Sequence, residues 1–507
     1  MTEGCRLTEK LSALSTGIRT EARPCVPGSQ SPGGRATMNA SSTTSTTVHF
    51  SGLTGAVAPM TWSQFGMWGA VKKFHPYDTY LNVRFRVEIP AGCSLDDVLS
   101  VIREMLVKHE ALRTRYFDSA DGSGRQEVVG AGGVEVVVEQ GTEESLDGLL
   151  DRLADRSFDF DSELPARFGV VHVEGRPAWL LIVVSHLSID GLARNRLVEE
   201  FTARLNGDHR YGDDRALLTP VARALAEGTP TGVLRNARTI GRWKRFVERA
   251  DVTNFPSRLP ADREPRWMRA SMFSPALGCA FDRIADRNAV TSPAVYVALS
   301  ATAVSALSDR PTAVLRCMIS NRFTDAEKRY IGNLSQACAF DVEVGDAVFD
   351  EVVRRSMAAS IRGYSMGRYR TDELEAIVDP TRFDAMHNDF RDAAASSRPQ
   401  RLRSVPAIHS LRSRTVIGPP QGLRYYDDKF HVEVRNGAGG PAPAVLIDRS
   451  YLPVAEPRDI LVAMEAFALA VLTEGRHLPA VDAFRVALTE AVDTEGEVSL
   501  DERSGDG

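Results

Sequence analysis

Leu180 to Gly191, LLIVVSHLSIDG, constrains this chain more than any other stretch. Leu180 to Val184 is an unbroken apolar run and reads as a buried strand. The run stops at Ser185-His186, Asp190-Gly191 follow, and Leu192 to Phe201 is spaced as a helix. A strand ending in a tight turn before a helix holds an imidazole rigidly and leaves its outer edge open to a substrate. A histidine that takes a proton from an amine or hydroxyl needs that fixed orientation. Read alone, the same residues equally describe a solvent-tipped histidine and an aspartate that caps the next helix.

With 507 residues the chain exceeds one ordinary hydrophobic core, which predicts two lobes. Apolar residues make up 43% and charged residues 25%, the balance of a soluble globular protein. The net charge of −6 points away from nucleic acid and anionic membranes as partners. No apolar run approaches the roughly 20 residues of a membrane span, and the N-terminus lacks the apolar core of a secretory signal. Cys5, Cys25, Cys93, Cys279, Cys317 and Cys338 are scattered without a CxxC pair. That spacing argues against zinc or a disulfide framework and for a reducing, cytoplasmic setting.

The proline- and glycine-bearing residues 1–48, with the Ser/Thr tract Ser41 to Thr47, are expected to be disordered. Met38 is a second possible start of translation. Residues 49–215 are expected to form an N-terminal lobe. In it Ser63 caps a short helix, strands run over Tyr80 to Ile89, Leu112 to Phe117 and Val134 to Val138, and helices over Leu95 to His109 and Leu146 to Leu153. Phe168 to Val173 and Leu180 to Val184 form a hairpin through Glu174-Gly175-Arg176. Residues 216–265 read as an inter-lobe connection and 266–490 as a C-terminal lobe. In that lobe Met272 to Phe281 reads as a strand, Thr291 to Leu307 as a buried helix, Ala313 to Ile319 as a strand and Ile460 to Leu472 as a long helix. Residues 491–507 are expected to be a flexible acidic tail. Mixed strands and helices in both halves predict two α/β (α+β) sandwiches.

Several separate motifs carry a resemblance. Thr61-Trp62-Ser63-Gln64 with Met67-Trp68, His109 to Tyr116 (HEALRTRY), and Ser157-Phe158-Asp159-Phe160 with Leu164 and Arg167 precede the SHLSIDG turn. Asn321-Arg322 and Tyr330-Ile331-Gly332 follow it. In this order the chain, from about residue 58 to 480, resembles the condensation domains of nonribosomal peptide synthetases, within the chloramphenicol acetyltransferase-like acyltransferase superfamily. The resemblance implies two lobes in a V with a central tunnel and His186 near its middle.

It also implies a function. A free-standing condensation enzyme would take an acyl or aminoacyl group from a carrier-protein thioester to an amine acceptor. The peptidyl or acyl carrier protein would be met in trans, and the acceptor would be a small molecule or carrier-bound. The phosphopantetheine arm would belong to the carrier, with no cofactor or metal bound by this chain. His186 corresponds to the essential histidine. Asp190 corresponds to a structural aspartate whose implied partner is Arg322. Gly191 would let the backbone approach the reacting carbonyl and offer an N–H to the oxyanion. Arg113 would support the lobe. Ser185 stands where the family has its first histidine, and Leu334-Ser335-Gln336 where it has FVN. The single histidine keeps two other readings open: an ester-forming O-acyltransferase using a carrier or coenzyme A donor, and a non-catalytic docking platform.

Two further signals come from the residues themselves. Val233, Ala237, Ile240, Trp243 and Val247 fall on one helical face, with Arg235, Arg238, Arg242, Arg245 and Arg249 as a parallel basic stripe suited to an acidic carrier protein. His75, His109, His172, His387, His409 and His431 lack paired ligand spacing and read as structural, and Gly437 to Gly440 as a surface loop.

Overall fold

The computed structural model describes residues 43–211, 217–260, 263–391, 403–437, 440–452 and 456–504. Its first lobe is a five-stranded sheet in the order Thr43–Phe50, Gly132–Gln140, Ala166–Val173, Arg176–Val184, Val83–Glu88. The central hairpin turns through Glu174 and Gly175, both at positive φ. Leu180, Ile182 and Val184 point into a core shared with Val98, Ile102, Leu197 and Phe201 of the Leu95–Lys108 and Gly191–Leu205 helices. Leu181 and Val183 point the other way, onto Leu149 and Leu150 of the Leu146–Ala154 helix. Burial on both faces is why this strand reads as a continuous apolar run rather than an alternating one.

The second lobe is a sheet in the order Gln336–Glu343, Thr312–Ile319, Ala385–Asp389, Phe430–Gly437, Gly440–Asp448, Trp267–Phe273, Val416–Ile417. Helices Pro275–Arg287, Ser292–Ser308, Phe349–Tyr364 and Pro457–Val471 share its core. The mixed α/β class expected from the sequence is the class observed. Among the described residues no single helix is long and apolar enough to cross a membrane.

Several expectations are corrected. Thr43–Phe50 is the outer strand of the first sheet rather than part of a disordered extension; residues 1–42 lie outside the described residues. Its β-branched threonines suit an edge, and Val48 and Phe50 enter the core. The cap of the Trp62–Phe74 helix is Thr61, in a reciprocal box with Gln64, and not Ser63. The Met272 to Phe281 strand ends at Phe273, where Ser274 caps and Pro275 opens a helix that buries Leu277, Phe281 and Ile284. Residues 216–265 are more than a connection. The Pro230–Arg249 helix lays Trp243 and Phe246 into the second core. Its buried face is Gly232, Asn236, Thr239, Trp243 and Phe246, so Val233 and Ala237, which the spacing put on one face with Trp243, lie outside it. Gly437 and Gly440 pair with each other at the ends of two antiparallel strands, and Pro441 and Pro443 lie within that ladder; residues 438–439 of the expected surface loop lie outside the described residues. In the expected tail the backbone is helical to Ser504, as the end of the Ala480–Ser504 helix.

Candidate active site

His186 sits half-buried in the turn between the central strand and the Gly191–Leu205 helix. Its Nδ1 lies 2.8 Å from the Ile189 carbonyl oxygen. A carbonyl only accepts, so Nδ1 carries the hydrogen, and in the neutral ring Nε2 keeps a bare lone pair. The main-chain carbonyl of His186 accepts from Asn333 Nδ2 at 3.0 Å, across from the second lobe. The turn closes on Ser185, whose carbonyl accepts from Ser188 N (2.9 Å) and Ile189 N (3.3 Å) and whose Oγ accepts from Leu187 N (3.3 Å).

Asp190 does not touch the ring. Its Oδ1 accepts from Ala193 N at 3.0 Å, which makes it the N-cap of the helix. Its Oδ2 accepts from Arg322 Nη1 (2.6 Å), Leu334 N (2.9 Å) and Ser335 Oγ (3.1 Å), all on the second lobe. Burial pushes its carboxyl pKa up; the Arg322 charge and these bonds more than offset that and hold it below the usual aspartate value. The aspartate therefore caps a helix and also ties the lobes together.

Arg322 is aimed by its neighbours. Asn321 adopts a left-handed φ of 54°, a conformation Asn tolerates, and is held by Nδ2 bonds to the Leu334 and Gly367 carbonyls. That bend turns Arg322 back toward Asp190, where Nη2 also donates to Gly332 O at 3.0 Å. A side chain at Gly332 would meet the Tyr330 ring at 2.2 Å, so only glycine fits there.

The early motifs converge on the same turn. Ser63 Oγ donates to Asn333 O at 2.7 Å, joining the lobes from the first motif. Gln64 Nε2 donates to Tyr116 OH (3.4 Å), and Tyr116 OH bonds Ser188 Oγ (2.9 Å). No role was expected of Asn333, Ser188 or Tyr116; Asn333 is the residue after Tyr330-Ile331-Gly332, Ser188 lies inside the SHLSIDG turn, and Tyr116 closes the HEALRTRY motif. Arg113 bonds Val129 O at 2.7 Å, buried within the first lobe and away from this network. Gly191, exposed, opens the helix; its N–H is among the first-turn donors without an intrahelical acceptor, and space beside its Cα is open.

Residues 55–208 match the family model described as the condensation domain. Over these residues the chain is similar to condensation domains. Over 134 residues the chain is 26% identical to a hybrid PKS-NRPS synthetase, buaA, of Petromyces alliaceus, covering 26% of the chain and 3% of that protein. Over 146 residues it is 27% identical to a probable non-canonical nonribosomal peptide synthetase, CymA, of Salinispora arenicola, covering 29% of the chain and 2% of that protein. The chain thus spans 2–3% of the length of these relatives. Among solved structures, the condensation domain of the Monacolin K polyketide synthase MokA aligns with a TM-score of 0.61 at 14% identity, over 84% of this chain and 98% of that one. The X-domain from teicoplanin biosynthesis aligns at 0.61 and 16%, over 83% and 95%. A structure of condensation domain-mediated chain release from the enacyloxin polyketide synthase aligns at 0.60 and 15%, over 86% and 82%. The fold of the condensation domain extends across both lobes.

The basic stripe is partly occupied. Arg249 makes a two-pronged bond to Asp341 (2.6 and 2.9 Å), and Arg242 donates to Ser365 O at 3.0 Å. Arg235, Arg238 and Arg245 are exposed beside Val233 and Leu234. A cavity of about 310 Å³ lies on the first lobe against Trp68, His75 and Ser157 to Asp161, the segment of the third motif.

Proposed function

We propose that this chain transfers an acyl or aminoacyl group from a carrier-protein thioester to an amine acceptor, forming an amide in natural-product assembly. The observation that carries the reading is the His186 Nδ1–Ile189 carbonyl bond, which leaves Nε2 as the proton acceptor. The amine nitrogen attacks the thioester carbonyl as its proton passes to Nε2. The tetrahedral oxyanion is stabilised by the helix start, where Gly191 N–H and the positive end of the helix dipole lie. The carbonyl then reforms, the carbon–sulfur bond breaks, and the thiolate takes the proton from the imidazolium. Asp190, Arg322 and Asn333 are positioning residues: they hold the turn and not the substrate. The phosphopantetheine arm is the carrier's, and enters with the donor.

His186→Ala tests this with a loaded carrier and an amine acceptor. Turnover is expected to fall about 10²- to 10⁴-fold with the unfolding midpoint little changed. Full product formation in that variant would sink the transferase reading and leave a docking platform. The single histidine leaves open one alternative transfer, to a hydroxyl acceptor with an ester product. Matched amine and alcohol acceptors on the wild-type chain separate the two.

Arg235, Arg238 and Arg245 are the part of the stripe suited to docking the carrier. Reversing all three to Glu is expected to slow turnover with the loaded carrier, chiefly at low salt, and to spare turnover with a small thioester. Equal slowing with both donors would remove the docking role.

A further inference from the structure

The turn that holds His186 sends its side chains to different anchors. Leu187 joins the core of Leu149 and Leu150, and Ile189 the core of Val98 and Ile102, both fully buried. The two polar residues that flank Ile189 are tied elsewhere. Asp190 is held by Arg322 of the second lobe, and Ser188 by Tyr116 of the first. Ile189 matters because its carbonyl is the group that fixes the His186 tautomer. A carbonyl whose residue is clamped on both sides keeps one direction.

The Ser188 anchor ends a one-way chain of hydrogen bonds from Gln126 through Gln64 and Tyr116, all fully buried side chains. Backbone groups at the far end set its sense, because an N–H only donates and a carbonyl only accepts. Thr61 N donates to Gln64 Oε1 at 2.8 Å, which turns Gln64 Nε2 inward. Gln126 Nε2 donates to Pro59 O (2.9 Å) and Pro220 O (3.4 Å), which turns Gln126 Oε1 toward Gln64. The two hydrogens of Gln64 Nε2 then go to Gln126 Oε1 (3.3 Å) and Tyr116 OH (3.4 Å). Tyr116 OH accepts that bond, so its own hydrogen goes to Ser188 Oγ at 2.9 Å. Burial pushes the Tyr116 pKa up, and the phenol keeps this hydrogen. Tyr116 stands opposite Gln126 in the ladder of Thr114–Asp118 with Gly124–Val128, and its ring meets Phe160 edge-on at 5.8 Å. The donor is therefore mounted on a sheet and not on a loop.

We propose that Tyr116 and Ser188 are positioning residues for His186: their bond holds the Ile189 carbonyl on Nδ1 and so keeps Nε2 free to take the proton. The use of Nε2 as a base rests on the acyl-transfer reading; the fixed tautomer does not. Phenylalanine would fill the same space as Tyr116, so packing does not account for the hydroxyl. Without it, Ser188 Oγ and one Gln64 hydrogen lose their partners, and the middle of the turn gains freedom.

Magnetic resonance of the histidine ring nitrogens in the full chain tests this without substrate. The His186 signals are those missing from His186→Ala, and they are read at a pH where the ring is neutral. Wild type is expected to show a protonated Nδ1 and a bare Nε2. Tyr116→Phe and Ser188→Ala should each move both nitrogens toward the average of the two tautomers, changing their ratio by about 3- to 10-fold, the worth of one hydrogen bond. The double variant should match either single one, since both remove the same bond. If Tyr116→Phe folds poorly, Ser188→Ala, which deletes only an oxygen, reads the same bond. Val342→Ala, a core truncation in the second lobe, should lower stability and leave the ring unchanged. With saturating loaded carrier and amine acceptor, kcat of the two variants should fall with the fraction of rings protonated on Nδ1, at unchanged KM. A bare Nδ1 in the wild type overturns the proposal. So does a ring unmoved by both variants, or moved equally by Val342→Ala. A chain that transfers nothing but whose ring still responds to Tyr116→Phe keeps the positioning role and sinks the transfer reading instead.

Discussion

Asp190 shows how one side chain serves two ends. It caps the helix through Ala193 N and holds Arg322, Leu334 N and Ser335 from the other lobe. Both partners of the ion pair are buried, Asp190 at 1% exposure and Arg322 at 9%. Removing one side leaves the other charge buried and unpaired, which costs far more than the intact pair contributes. Asp190→Ala is therefore expected to lower stability by about 3–5 kcal/mol, read as a shift in the denaturant midpoint. The Asp190→Ala, Arg322→Met double variant should recover part of that loss. If the single and double variants are equally destabilised, the cap and not the pair is the main contribution. The identity of Arg322 as the partner was legible in the Asn321-Arg322 motif. Asn333 was not, because nothing in a glycine-asparagine pair announces that its amide will hold a carbonyl 147 residues away.

The Thr43–Phe50 strand illustrates how an element can be hidden by its composition. Threonine and serine dominate it, and only Val48 and Phe50 face inward. It is ordered because Gly132–Gln140 offers a full antiparallel ladder from Phe50↔Gly132 to Thr43↔Glu139. The Phe50 ring covers the bare Gly132, where an added Cβ would stand 3.2 Å from it. Phe50→Ala should destabilise by about 3 kcal/mol, measured by chemical denaturation, through lost burial and the exposed edge. A change under about 0.5 kcal/mol, the range of a neutral surface substitution, would mean that the strand contributes nothing to the lobe. The Pro230–Arg249 helix teaches the converse. Its amphipathic period was legible, but the buried face is set by where Trp243 donates to Met366 O at 2.9 Å and meets the Tyr369 and Phe383 rings. The partner surface therefore decided the rotation.

Across the whole molecule the two lobes are joined at several places. Asp190–Arg322, Ser63–Asn333 and Asn333–His186 meet at the His186 turn, and Trp62 N donates to Glu227 at 2.8 Å. Lys73–Asp427, at 3.1 Å, joins them elsewhere. The second core also carries a buried histidine, His387, bonded to Ser300 Oγ at 2.8 Å. Burial, helped by the His431 and Arg391 charges and opposed by Asp389, pushes its pKa from 6.5 down to about 4. The folded state thus keeps it neutral where the unfolded chain protonates it. The stabilising contribution is full above pH 6.5 and is lost as pH falls from about 6.5 toward 4, to a total of roughly 3 kcal/mol. His387→Gln should flatten that part of the stability–pH profile; an unchanged slope would assign the pH dependence to other groups.

The sequence by itself determined the local alphabet of this protein: apolar runs and helical periods, the Ser185 to Gly191 turn, and the ordered motifs that resemble those of condensation domains. Those signals are short-range, because strand and helix periodicity and capping are written within one turn or a few residues. The tertiary structure decided what long-range packing alone can decide. It made Thr43–Phe50 a strand, turned the Pro230–Arg249 helix onto its buried face, and set Asn333 on the histidine backbone.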